Sequence, residues 1–253
     1  MKTQEDVHVL LLKGGFGPER EVSLESAKAC SRAIKENGFK VTEVDYATVN
    51  ITKLIKIKPD VCFNALHGDT GENGSIQGLL NILRIPYTHS GVAASAIAMN
   101  KSIFKSLIIN STENSKDPIF FPKTLHINEG EKLSIDNYKG SYVLKPKSGG
   151  SSVGVKIVKE HDDIPLKQDF AFIDIMAEEY VGSTELTVTV LKDKPLCVTE
   201  IKAGQGIDFY NYKAKYEKNG STHEIPAQIP KNIYKQAMSW ASRAHQIIGC
   251  KGI

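Results

Sequence analysis

The stretch LLLKGGFGPEREVSLESAKAC, Leu10 to Cys30, decides the fold. Near-continuous apolar runs of this kind, here opening at Val7 and ending at Leu12 with only His8 polar, mark strands buried on both faces, as in the middle of a helix-covered parallel sheet. The run stops at Gly14 and Gly15, crosses a charged turn and enters a helix whose apolar positions Leu24, Ala27, Cys30 and Ile34 recur until Gly38 ends the pattern. Ser23 is the expected N-cap of that helix. A second strand, FKVTEVDY from Phe39, and a third, VCFNAL from Val61, follow, with a short helix expected inside VNITKLIKIKPD. Strands alternating with helices predict a parallel sheet, a Rossmann-like α/β arrangement.

Beyond the third strand, a glycine-rich acidic loop at His67–Gly74 enters a helix near Ser75 that ends by Pro86. Loops at the carboxyl ends of parallel strands are where such folds bind ligands. A continuous helix is expected over VAASAIAMNKSIFKSLIIN, and the polar STENSKDP stretch reads as a linker or loop. A second domain is expected to begin around Ser95. From Ser141 the texture changes: SYVLKPKSGGSSVGVKIV reads as a hairpin, followed by strand-like runs at FIDIMAEEYV, TELTVTVL and KPLCVTEIKAG. This part is antiparallel in character, an α+β section after an α/β one.

The 253 residues carry 32 basic and 29 acidic side chains, a formal charge of +3, so there is no bulk electrostatic case for nucleic acid or a membrane surface. Glu5 and Asp6 precede the first apolar run and no cleavage-site pattern follows it, which argues against a signal peptide. Apolar runs fall short of the roughly 20 residues a membrane span needs. A cytoplasmic location is expected. Cys30, Cys62, Cys197 and Cys250 lack paired spacing and read as reduced, mostly buried thiols.

Several segments could carry chemistry. GGFGPER offers Gly14, Gly15 and Gly17 between strand and helix, with Asp45 closing the second strand as a candidate ribose-binding acid. Arg20 stands where a dinucleotide fingerprint needs its third glycine, so the signal is weak, and the alternative is a tight turn whose charges are solvated. KPKSGGSSVG, Lys145 to Gly154, can converge backbone N–H groups and the hydroxyls of Ser151 and Ser152 on an anion, with charge from Lys145. It is not a Walker loop, because the lysine precedes the glycines, and a plain hairpin has the same composition. EEYVGSTE, Glu178 to Glu185, can hold an adenosine or be a surface hairpin. FYNYKAKY, Phe209 to Tyr216, follows Gly204 and Gly206 in an expected loop, which suits either stacking on single-stranded nucleic acid or a lid over a phosphate site.

Taken in order, these segments resemble the D-alanine–D-alanine ligases of the ATP-grasp superfamily. The likeness runs from LLLKGGFGPEREVS through ALHGDTGENGSIQGLL, YTHSGVAASAIAMNK, KPKSGGSSVGV, EEYVGSTELTV and FYNYKAKY to GCKG. It implies that ATP phosphorylates the carboxylate of one D-alanine and that the amine of a second attacks the acyl phosphate, giving D-alanyl-D-alanine for peptidoglycan. It implies an ATP-grasp architecture: a Rossmann-like domain over 1–95, a central α+β domain over 96–181, and an incomplete C-terminal domain with the lid over 182–253. By the resemblance, Glu19 holds the ammonium of the first D-alanine, with His67 nearby. Ser151 and Tyr216 match residues that hydrogen-bond with that glutamate and orient the lid. Lys101, Lys145 and Lys215 face the phosphates, assisted by Ser152. Glu178, Glu179 and Val181 lie at the adenine hinge, Glu185 at the ribose and Phe209 against the base. The tyrosine at 216 favours an amine over a hydroxyl as the attacking group. A homodimer through the N-terminal domain is implied, with no nucleic-acid or membrane partner.

The chain departs from the family pattern at Gly17, at Gly149 and in the early glycine of VGSTE. It also ends at GCKGI, before the family's arginine, its Mg2+ (or Mn2+) ligands and its final substrate loop. No metal ligand is therefore assigned within it. The expectation is a truncated ligase with little or no activity, or a non-catalytic remnant that binds ATP or D-alanine.

Overall fold

The computed structural model describes residues 3–135, 138–170, 174–182, 184–204, 209–217 and 219–252, without the side chains of Asp69 and Glu129. Gly206, named above before the aromatic segment, and Phe172 and Ile173, placed above at the head of a strand, lie outside the described residues. The elements in chain order are β1 (His8–Lys13), α1 (Arg20–Glu36), β2 (Lys40–Asp45), α2 (Ile51–Ile57), β3 (Val61–Asn64), α3 (Asp69–Glu72), α4 (Ser75–Ile82), α5 (Val92–Met99) and α6 (Lys101–Thr112). There follow β4 (Thr124–Leu125), β5 (Ile127–Glu129), β6 (Leu133–Ile135), β7 (Tyr142–Pro146), β8 (Lys156–Val158) and β9 (Ile175–Glu179). The chain continues through β10 (Glu185–Leu191), β11 (Lys194–Ala203), α7 (Tyr212–Tyr216), β12 (Ser221–Glu224) and α8 (Lys231–Ile247). The chain divides into two compact units: 1–99 with 190–194 and 248–253, and 100–189 with 195–247.

The first unit holds a parallel sheet of order β2-β1-β3. Central β1 explains the leucine run, because its successive side chains enter opposite layers. Leu10 and Leu12 pack with Val44, Leu54, Cys62, Ile76 and Leu80, while Leu11 packs with Ala27 and Ala65. All three leucines are fully buried, each worth about 2 kcal/mol of apolar burial. Tyr87 bridges in parallel to Cys62 at the edge of β3.

Helix α1 starts earlier than expected. Glu19 is its N-cap, and Ser23 lies inside the first turn, fully buried. The Ser23 hydroxyl accepts from Gly14 N at 2.8 Å and donates to Ala65 O at 2.6 Å. Ser23 thus ties the glycine turn and the end of β3 to the helix instead of capping it. The long helix expected over residues 92–110 is broken into α5 and α6 at Asn100, whose extended backbone and side chain cap Ile103 N at 3.0 Å. Of the cysteines only Cys62 is fully buried, its thiol pushed up to about 12 by desolvation; Cys30, Cys197 and Cys250 are half-buried, contrary to expectation. All four are free thiols.

The second unit contains an antiparallel sheet of order β4-β9-β7-β8, the hairpin β5-β6, and a sheet of order β10-β11-β12 whose tip, 190–194, is counted with the first unit. Leu125, Leu133, Tyr142, Leu144, Val158, Phe170 and Ala177 form one core cluster there. The expected hairpin is β7-β8. STENSKDP is not a loose linker: Asp117 accepts from Trp240 Nε1 at 2.9 Å and from Ser239 at 3.3 Å, and Arg243 bonds Asp117 O and Ser115 Oγ. These contacts fasten the stretch to α8, a helix the sequence reading did not name. The aromatic segment expected as a loop contains the short helix α7, capped by the Asn211 side chain at Ala214 N, 3.0 Å.

Candidate functional site

In the first unit the glycine turn is clamped by a bidentate ion pair. Arg20 donates to Asp45 Oδ1 at 3.0 Å and Oδ2 at 2.5 Å, and also to Gly15 O at 3.0 Å. Asp45 also accepts Ala47 N at 3.0 Å, and the arginine hydrogen bond holds its carboxyl below the ordinary range. The acid proposed as a ribose partner is thus engaged by the residue standing at the missing third glycine. Gly17 has φ +93°, in the left-handed region that disfavours a larger residue there, which accounts for one departure from the family pattern.

This turn delivers Glu19 to the N-terminus of α1, where its side chain makes no capping bond and is 8% exposed. The carboxylate lies against Gly68, which has φ +68° and no room for a Cβ. His67 Nε2 is 3.1 Å from Ser26 Oγ, and its Nδ1 is 3.9 Å from Glu72. Burial raises the Glu72 pKa, the Gly68 N–H lowers it, Glu19 adds to the rise and His67 opposes it. Glu19, His67 and Glu72 therefore lie together at one end of the first unit's helix α1 and loop 67–74. Glu72 was missed in the sequence reading, although it stands in the acidic glycine loop already singled out.

In the second unit, α6 begins at the glycine–serine loop. Lys101 N donates to Lys147 O at 2.8 Å, Asn100 bridges to Ser148, and Lys101 Nζ donates to Gly149 O at 2.7 Å. Lys101 is held below the ordinary lysine pKa, first by burial and then by the charges of Lys145 and Lys215, with Glu178 opposing. The three lysines named from the sequence thus share one electrostatic environment. Like charges gathered at a loop rich in glycine and hydroxyls suit a polyanion.

Loop geometry fits that purpose. Gly149 and Gly154 have φ +108° and +71°, and Ser151 and Ser152 take the left-handed region at +50° and +59°. Gly149 replaces the family's larger residue where the backbone itself demands glycine. Ser151 Oγ is 2.6 Å from Tyr216 Oη, and Ser152 Oγ donates to Tyr210 O at 2.9 Å, so the loop is fastened to the segment around α7. Lys215 Nζ lies 5.1 Å from the centroid of the Tyr210 ring.

Two cavities of about 430 and 420 Å³ share Tyr180 and Phe209 in their walls. Lys156 and Ile157 line the first, and Gly182, Glu185 and Lys202 the second. Glu185 has its pKa raised by burial, with Lys215 opposing. An aromatic wall, an acid with a lysine near it and a group of cations fit a nucleotide with its phosphates. Glu178 is buried and bonds Lys145 through one oxygen and Lys105 through the other. Glu179 accepts from Lys123 N at 2.8 Å, and Val181 is exposed. Lys105 escaped the sequence reading, although its spacing four residues from Lys101 places both on one helix face. Among the described residues no group of three or more His, Cys, Asp or Glu is arranged to hold a metal, and no helix is long and apolar enough to cross a membrane.

Comparison with known proteins then bears on the chemistry. Residues 129–253 match the family model described as D-ala D-ala ligase C-terminus, and 47–90 match D-ala D-ala ligase N-terminus. The chain is 43% identical over 251 residues to the D-alanine–D-alanine ligase of Methylobacterium radiotolerans, covering 97% of this chain and 80% of that one. It belongs to the D-alanine–D-alanine ligase family. The solved structure of the D-alanine–D-alanine ligase from Bacillus anthracis matches with a TM-score of 0.76 and 25% identity, covering 97% of this chain and 80% of that one. The same enzyme complexed with ATP matches at 0.77 and 23%, again over 97% of this chain and 79% of that one, which supports the fold. The architecture is thus that of the ATP-grasp D-alanine–D-alanine ligases. The C-terminal family match contains Lys145, Ser151, Glu178 and Lys215 and the N-terminal match contains His67, whereas Glu19, Lys101 and Lys105 lie outside both.

Proposed function

We propose that this chain serves the ATP-dependent, ADP-forming ligation of two D-alanines to D-alanyl-D-alanine through an acyl phosphate, in the supply of peptidoglycan precursors. The observation that carries the reading is 43% identity along nearly the whole chain, joined to the grouping of Lys101, Lys145 and Lys215 in one unit. These three cations act on the triphosphate, where charge migrates as the terminal phosphoryl group is transferred. Ser152 assists them, Phe209 packs the base, Glu185 binds the ribose, and Glu178, Glu179 and Val181 form the hinge beside the adenine. Glu19 receives the ammonium of the first D-alanine with His67 close to it, a role suited to a carboxylate withheld from capping its own helix. Ser151 and Tyr216 belong to the polar network that serves the attacking amine; the attacking nitrogen must lose a proton before it can add.

Mg2+ or Mn2+ is the expected companion of the triphosphate; the described residues offer it no ligand cluster. In functional terms the reading divides the chain into a D-alanine-binding domain over 1–95, a central ATP-grasp domain over 96–181 and part of a C-terminal domain over 182–253. A cytoplasmic homodimer joined through the first of these belongs to the same reading.

The test uses the purified chain with saturating Mg2+. ATP and D-alanine should each raise its melting temperature, and phosphate release should require D-alanine. Binding of neither ligand contradicts the reading, and ATP binding without ligation under these conditions identifies a nucleotide-binding remnant instead.

A further inference from the structure

Lys105 lies one helical turn beyond Lys101 on α6, yet its environment differs. Lys101 bonds the glycine–serine loop, whereas Lys105 is 9% exposed and its ammonium donates to Pro122 O, to Thr124 Oγ1 at 2.8 Å and to Glu178 Oε1 at 2.7 Å. An ammonium has three N–H donors, and all are used. Lys105 therefore has nothing left to offer a ligand. Its anionic partner is Glu178, 5% exposed, whose other oxygen accepts from Lys145.

The register of the sheet produces this bridge. Glu178 on β9 faces Val143 on β7, so Lys145, two residues further along β7, lies diagonally across on the same face. A buried carboxylate facing one lysine makes a neutral pair, and that lysine's charge is then largely cancelled for anything else nearby. A second cation on the carboxylate changes the sum: two lysines on one glutamate leave a net positive charge.

We propose that Lys105 is a positioning residue for the nucleotide, neutralising and aiming Glu178 so that the charge of Lys145 remains available to the phosphates. The inference rests on the reading of this unit as the ATP site. Lys105 touches neither phosphate nor base; it acts through Glu178. Removing it leaves Glu178 to cancel Lys145, so the cost falls on the part of nucleotide affinity contributed by the phosphates and not on the adenosine part.

The experiment compares the affinities of ATP and adenosine for the full chain by calorimetric titration. Lys105→Met should lower the ratio of ATP to adenosine affinity by roughly tenfold, the scale of one unit charge acting on phosphates across a partly shielded site. Lys105→Arg, which keeps the charge, should restore most of the ratio. The Lys105→Met/Glu178→Gln double variant removes cation and anion together and should also return the ratio toward wild type, even if adenine contacts suffer in both ligands alike. This double variant leaves no buried anion short of a partner, so it remains informative if Lys105→Met alone fails to fold. An unchanged ratio in Lys105→Met, or a double variant whose ratio stays tenfold low, overturns the proposal. Wild-type protein that binds ATP no better than adenosine instead removes the ATP-site reading on which it rests.

Discussion

Two of the glycine-rich turns that follow strands, after β1 and after β7, are held in different ways. The turn at Gly14–Glu19 is closed by charge: Arg20 and Asp45 clamp it, and the buried Ser23 hydroxyl accepts its first N–H. The turn at Gly149–Gly154 is held by Lys101 Nζ on Gly149 O and by hydroxyl contacts, Ser151 with Tyr216 and Ser152 with Tyr210, and the charges of Lys145 and Lys215 bear on Lys101 beside it. Glycine content alone distinguishes neither. The placement of charge does: one turn has its arginine engaged by Asp45 and leads to the Glu19 carboxylate, and the other gathers lysines around a loop of glycine and hydroxyls, an arrangement suited to an anion.

The largest difference should appear on adding a methyl group to each turn. Gly14→Ala meets the Asp45 carboxylate and the Arg20 guanidinium at φ +74°, so the loss should be about 3 kcal/mol of unfolding free energy. Gly149→Ala, strained at φ +108° but in open space, should cost about 1–2 kcal/mol. Urea denaturation of both variants checks the order, and equal losses would mean that the ion-pair clamp contributes little.

A smaller effect concerns pH. Lys13 and Ser31 hold the Glu43 carboxyl at about 2, against an ordinary value near 4.5, with Lys35 adding to the fall. A depressed carboxyl contributes stability above its unfolded pKa and loses it as pH falls from about 4.5 to about 2. The group is partly exposed and its lysine partners reach solvent, so screening leaves about 1 kcal/mol. Glu43→Gln should flatten the stability profile in that window and leave it unchanged between pH 6 and 8, as thermal melts can show. The smallest effect is Ser151→Gly. Relief of the left-handed serine at φ +50° should nearly offset the lost hydroxyl contact, leaving stability within about 0.5 kcal/mol of wild type.

Where one physical cause dominated, the sequence was legible. The leucine run could be read as a doubly covered strand because burial on both faces leaves no alternation, and the parallel sheet followed from it. Lys145 and the paired serines read equally as an anion loop or a plain hairpin, and Lys101 and Lys215 were implied only by the family resemblance. Features set by tertiary contacts were less visible. Helix α1 starts early, at Glu19, while Ser23 is drawn inward by Gly14 and Ala65, and the break at Asn100 depends on a cap within a pattern that stays helical on both sides. Helix α8 is strongly amphipathic, a signal that periodicity could have found, although no residue of it is fully buried. Lys105 was not singled out, because only the fold brings Pro122, Thr124 and Glu178 around it.

The central claim is that the lysine group of the second unit is a phosphate site. Titration of ATP and adenosine into wild-type chain and Lys145→Met tests it most directly. The account predicts that the variant loses at least about tenfold in ATP affinity and stays within about twofold for adenosine. Equal losses for both ligands, or ATP affinity unaltered by the substitution, would contradict it.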